Sequence, residues 1–162
     1  MRFNSLFYIV LFTALAGCAA VPPPPAPAPQ PVAARPERAE ALLQTLLALG
    51  LDYRQGGSSH ATGFDCSGLV AHVYQEAWGV RLPRNALEQS RHGRPVALEQ
   101  LEAGDLVFYN TLNRPFSHVG IYVGDGRFVH APKSGARVRV ESVHGAYWKQ
   151  RFNGARRVNP TL

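Results

Sequence analysis

The stretch GFDCSGLVAHVY, Gly63 to Tyr74, sets a cysteine directly after an aspartate at the start of a helical pattern. Cys66, Leu69, Val70, Val73, Tyr74 and Ala77 recur with the period of one helix face, and Gly79 is placed to end it. Two readings of Cys66 follow. It opens the apolar stripe, and free cysteine is among the most buried residue types, so from this helix alone core packing is the better account. Yet Asp65 is a good N-cap, which puts Cys66 in the first helical turn, where unpaired N–H groups and the helix dipole favour a thiolate. Ser67 and Gly68 leave room for another chain to approach, and the same N–H groups could receive an oxyanion.

Upstream, the first 17 residues read as an export signal: Arg2 supplies a positive region, Leu6 to Ala16 an apolar one too short to span a bilayer, and small residues precede Cys18. LAGC, Leu15 to Cys18, resembles the lipobox of bacterial lipoproteins, so Cys18 is expected to carry the lipid. Ala19 stands where an aspartate would signal inner-membrane retention, which favours the outer membrane, with the domain on the periplasmic side. Residues 18–36 then form a tether. Eight of the 13 prolines fall between Val21 and Pro36, a stretch that cannot build helix or sheet ladders. Extended at about 3.1 Å per residue, it reaches on the order of 50 Å. Its plain reading is a spacer.

Residues 37–162 are left for one domain, and 46% hydrophobic with 17% charged residues fits a globular chain. With Cys18 acylated, Cys66 has no disulfide partner. The net charge of +6 comes from scattered arginines, with no aromatic-interleaved basic stripe, and points away from nucleic acid. A basic surface could favour an anionic polymer such as cell wall, but 15 arginines against two lysines fit codon bias as well.

Within the domain, Ala39, Leu42, Leu43, Leu46 and Leu47 recur at helical spacing and predict a helix over 37–49, with Gly50 as its C-cap. Leu82 to Gly93 reads as a short helix after Pro83. Strands follow at 104–110, 117–124, 127–131 and 137–141. If Gly124, Asp125 and Gly126 form a three-residue hairpin loop, Ile121 pairs with Val129, and His118 and His130 share one sheet face as diagonal neighbours. Val119, Ile121, Val123 and Val129 then face the core, and Gly120 leaves open space beside both histidines. A two-residue loop would separate the histidines onto opposite faces.

A nucleophilic thiol needs a base, and the base needs a group to fix its tautomer; Cys66, His118 and His130 supply all three. His60, His72, His92 and His144 are assigned to surface or core. Zinc would require a further ligand, and neither CxxC nor HExxH is present, so no metal or other cofactor is expected.

DCSG, SHVGIYVG and FVHAP, in that order, together with GDLVFY, YRQGG and the closing YWKQRFNGARRV, resemble the NlpC-type cysteine peptidases of the bacterial cell wall. The likeness runs from about Leu42 to Val158. It implies a papain-like α+β fold, with helices and a nucleophile-bearing helix N-terminus packed on an antiparallel sheet carrying the histidines. It also implies Cys66 as nucleophile, His118 as general base, His130 as orienting residue and Tyr53 as an oxyanion-side hydroxyl, with Asp65 and Ser67 alongside. Cys66 precedes His118, unlike the permuted acyltransferase-like members. The expected substrate is the peptidoglycan stem peptide, with the D-alanyl–diaminopimelate crosslink favoured by likeness to a lipoprotein subset. The rivals are the γ-D-glutamyl–diaminopimelate bond, an amidase or transpeptidase, and a non-catalytic wall-binding lipoprotein. Lys133 and Arg137, just beyond His130, could meet substrate carboxylates. The chain is expected to be a monomer.

Overall fold

The structure, a computed structural model, describes residues 36–159; the expected export signal, Cys18 and nearly all of the proline-rich segment lie outside the described residues. Among the described residues, four α-helices and eight strands follow one another. Helix α1 is Pro36–Leu47, strands β1 and β2 are Ser58–Ser59 and Gly63–Phe64, and α2 is Cys66–Trp78. The short helix α3, Ala86–Gln89, precedes β3, Arg94–Val96, and β4, Leu106–Tyr109. Strands β5, His118–Gly124, β6, Arg127–His130, and β7, Arg139–Ser142, lead to α4, Ala146–Arg151, and β8, Phe152–Arg157.

Helix α2 begins and ends where its residues require. The Asp65 side chain accepts from the Gly68 N–H, and Gly79 adopts φ 67°, the left-handed conformation that closes a helix and that glycine enters without steric cost. Its buried residues Leu69, Val70, Val73 and Tyr74 pack against Val119, Ile121 and Val129 of the sheet.

The inward face of α1 is not the leucine stripe. Arg38, Ala41, Thr45 and Ala48 are buried, while Leu43, Leu46 and Leu47 are 50%, 46% and 56% exposed. The cause is Asp105, fully buried at the start of β4. Its carboxylate is shared by Arg38, at 3.3 Å, and Arg157, at 2.7 Å. An unpaired buried charge would cost several kcal/mol, so α1 turns its arginine inward, and Ala41 and Ala48 allow the close approach.

Six strands form one antiparallel sheet in the order β3-β8-β4-β5-β6-β7. Both of its faces are covered. Leu106, Phe108, Val119, Ile121 and Val129 belong to the core shared with α1 and α2; Val107, Tyr109, Phe128 and Ala155 form a second core with Trp148 of α4. Sequence patterning anticipated the first layer and not the second, which is assembled from the C-terminal segment.

The hairpin has the expected register by a different route. Ile121 pairs with Val129, but Gly124 pairs with Arg127, leaving only Asp125 and Gly126 in the turn, with φ of 50° and 68°. Both positive values mark a type I′ turn, and a bulge between Tyr122 and Gly124 restores the register that a plain two-residue loop would have lost. The space expected over Gly120 is filled. A Cβ there would lie 2.6 Å from Cδ2 of Phe128 and 2.8 Å from the Val129 carbonyl, so this glycine serves close packing.

Candidate active site

The N-terminus of α2 is locked before any chemistry is considered. Asp65 accepts from Gly68 N at 2.6 Å and Gly56 N at 2.9 Å, and the Arg84 guanidinium meets both of its oxygens at 3.2 Å. Burial pushes the Asp65 carboxyl up, but these bonds and the Arg84 charge outweigh it and hold the group below its ordinary range. Ser67 donates to the Arg84 carbonyl at 2.8 Å and to Asp65 at 3.1 Å. Its hydroxyl is thereby committed to the scaffold, and what it offers the site is its backbone N–H.

Three glycines bring the Tyr53 loop against this turn. A Cβ on Gly68 would collide with the Gly57 carbonyl, and one on Gly57 with the Gly63 carbonyl. The glycines of YRQGG and GFDCSG thus touch backbone to backbone. Tyr53 bridges Phe64, and its hydroxyl titrates high through burial, then through the neighbouring charges of Cys66 and Asp65. It stands beside the thiol, half-buried.

Cys66 itself is held as a thiol. Burial and the Asp65 charge push it up to about 11, against the pull of backbone N–H groups of Val119, Ser67 and Cys66. The Val119 amide links the sulfur to the start of β5, where His118 sits. His118 Nε2 lies 2.7 Å from His130 Nδ1, and both rings are buried. Burial takes His118 down to about 4; burial, the His118 charge and Arg139 take His130 down to about 2. Both imidazoles are neutral near neutrality. The resting site is therefore a neutral thiol and a neutral imidazole pair, not the thiolate that the helix dipole alone would favour.

Trp148 completes the pair's surroundings. Its ring stacks on His118 at 5.7 Å and stands edge-on to His130 at 4.9 Å. Neither it nor Arg84 was singled out from the sequence; the LPR that follows α2 and the tryptophan of YWKQ were the available signals. Two clefts open on the site residues, one at His118 and one at Tyr53. One, of about 520 Å³, is lined by His118, Lys133, Arg139, Glu141, Tyr147 and Trp148 among others. The other, of about 790 Å³, is lined by Tyr53, Arg54, His60 and Arg137 among others. Lys133 and Arg137 therefore serve different clefts, and Arg137 is ion-paired with Asp52 at 3.2 Å. Among the described residues no cluster of histidine, cysteine and carboxylates could hold a metal ion. His60 and His72 meet edge to face with ring centroids 5.0 Å apart, and each also packs against Phe64.

Residues 50–157 match the NlpC/P60 family. The chain belongs to that family. It is 42% identical to murein DD-endopeptidase MepH of Escherichia coli K12 over 121 residues, covering 73% of this chain and 45% of the relative. It is 44% identical to the γ-DL-glutamyl hydrolase of Bacillus subtilis 168 over 110 residues, covering 67% and 26%. The chain thus spans less than half the length of either relative. A crystal structure of an NlpC/P60 protein from Bacillus cereus ATCC 10987 superimposes with a TM-score of 0.69 at 33% identity, covering 74% of this chain and 39% of that one.

Proposed function

We propose that this protein is a peptidoglycan endopeptidase that hydrolyses the D-alanyl–diaminopimelate crosslink by Cys-His-His nucleophilic catalysis, held to the outer membrane by lipid on Cys18. The observation that carries the catalytic reading is the 2.7 Å contact between His118 Nε2 and His130 Nδ1, with the Cys66 sulfur, at a helix N-terminus, meeting the backbone N–H of Val119, the residue after His118.

With His118 as the base, that contact calls for one tautomer of each ring. For His118 to take the thiol proton on Nδ1, its Nε2 must carry hydrogen and donate to Nδ1 of His130, which then holds its own proton on Nε2. Attack moves the Cys66 proton to His118 as sulfur bonds to the carbonyl carbon. The Tyr53 hydroxyl and backbone N–H groups at the start of α2 face the resulting oxyanion. Collapse breaks the C–N bond, and the imidazolium hands its proton to the departing nitrogen. Water then attacks the thioester, giving its proton to His118; the C–S bond breaks, and the proton returns to sulfur.

The choice of bond follows the likeness to MepH, and likeness to the γ-DL-glutamyl hydrolase supports the γ-D-glutamyl–diaminopimelate bond as the second reading. Mass spectrometry of crosslinked muropeptides after incubation decides it. Tetrapeptide monomers from dimers support crosslink cleavage, and stems truncated after D-glutamate reject it. Cys66→Ala should abolish either activity; retained hydrolysis would overturn the nucleophile. The membrane assignment rests on LAGC and the proline-rich tether, and Cys18→Ala should release the protein from the outer-membrane fraction and end palmitate labelling.

A further inference from the structure

Resting on the peptidase reading above, the two clefts can be assigned to the two halves of the substrate. The imidazole that must protonate the departing nitrogen faces the leaving group. His118 lines the cleft of about 520 Å³, so that cleft receives the leaving half, and the cleft lined by Tyr53 is left for the acyl half.

The leaving-group cleft carries a cation in a defined place. Arg139 stands directly across the β6–β7 ladder from His130, and directly opposed residues in an antiparallel pair project from the same face. Its Nε donates to Glu141 Oε1 at 2.9 Å, which leaves the terminal guanidinium nitrogens to the cleft. Arg139 is half exposed, and its charge reaches His130. Lys133, on the loop after β6, lines the same cleft.

We propose that Arg139, oriented by Glu141 and assisted by Lys133, is the specificity-determining residue for the leaving group and binds a carboxylate on the carbon that bears the departing nitrogen. A planar guanidinium matches a carboxylate in a way that a neutral amide does not. The two candidate bonds differ in this feature. In the D-alanyl–diaminopimelate crosslink the departing nitrogen sits on a carbon with a free carboxylate; in the γ-D-glutamyl–diaminopimelate bond of a longer stem that carboxyl is consumed in the next amide. Arg139 thus selects the crosslink.

The test uses the full chain and two synthetic crosslink peptides, identical except that one bears the free carboxylate and the other a carboxamide at that carbon. The wild type should prefer the carboxylate by about tenfold or more in kcat/KM, the scale of one charge-assisted hydrogen bond. Arg139→Gln should collapse that ratio toward one, chiefly through KM, and Arg139→Lys should restore part of it. A ratio unchanged by Arg139→Gln, or equal losses on both peptides, overturns the assignment. Hydrolysis of neither peptide by the wild type would instead overturn the crosslink reading itself.

Discussion

Trp148 lies nearly parallel to His118, with ring centroids 5.7 Å apart and an interplanar angle of 26°, and it meets His130 edge-on. One side chain from α4 therefore sets the planes of both imidazoles. It also packs against Tyr109 and Phe128 in the second core.

Trp148→Ala should cost about 3 to 5 kcal/mol by emptying that core. Trp148→Phe should lose less stability yet lower kcat, because a smaller ring leaves His118 less constrained. Thermal denaturation and kcat measured on folded protein check the two effects separately; an unchanged kcat in Trp148→Phe removes the orienting role.

The thiol, held up to about 11, predicts how Cys66 alkylates. Iodoacetamide reacts with thiolate, so the rate should climb with pH through the alkaline range and show no plateau between pH 5 and 7. A fast plateau in that acid range would mean a preformed thiolate–imidazolium pair. Measured rates in Cys66→Ser provide the blank.

Acid should destabilise the fold through its buried histidines. Unfolded, each imidazole titrates near 6.5; folded, His118 stays neutral down to about 4 and His130 to about 2. Between those values the unfolded chain binds protons that the native chain does not, so stability rises with pH across the window and is lost as pH falls below about 6.5. His72, lowered by burial and by His60, acts in the same direction. Urea denaturation at pH 6 and pH 4.5 should show this slope, and the double variant His118→Asn, His130→Gln should flatten it by about two protons. An equal slope in both proteins would mean the dyad is already charged when folded.

The Asp65–Arg84 pair predicts a separation of stability from activity. Asp65→Asn keeps an N-cap acceptor and should cost less than Asp65→Ala, which removes the cap at about 1 kcal/mol or more. Arg84→Met frees Asp65, and activity should fall further than the melting temperature suggests, because the turn bearing Cys66 loses its clamp. Calorimetry beside a muropeptide assay reads both; wild-type activity in Arg84→Met would show that the cap alone positions the turn.

Local chemistry determined much of this protein from sequence. Asp65 and Gly79 bounded α2, the strands at 118–124 and 127–130 were legible from β-branched runs around a glycine-rich turn, and the pairing of Ile121 with Val129 was recovered. Caps, turns and alternation are short-range effects, written in neighbouring residues. What tertiary structure decided was whatever needed a distant partner. Burial of Asp105 turned Arg38 inward and left three leucines of α1 outside, against the helical pattern. Phe128 closed the space over Gly120, and Trp148, 30 residues beyond His118 in the chain, covered the histidines. The same packing set the charge state of the site: a helix N-terminus read alone favours a thiolate, but desolvation by the assembled core is larger and keeps Cys66 protonated beside two neutral imidazoles.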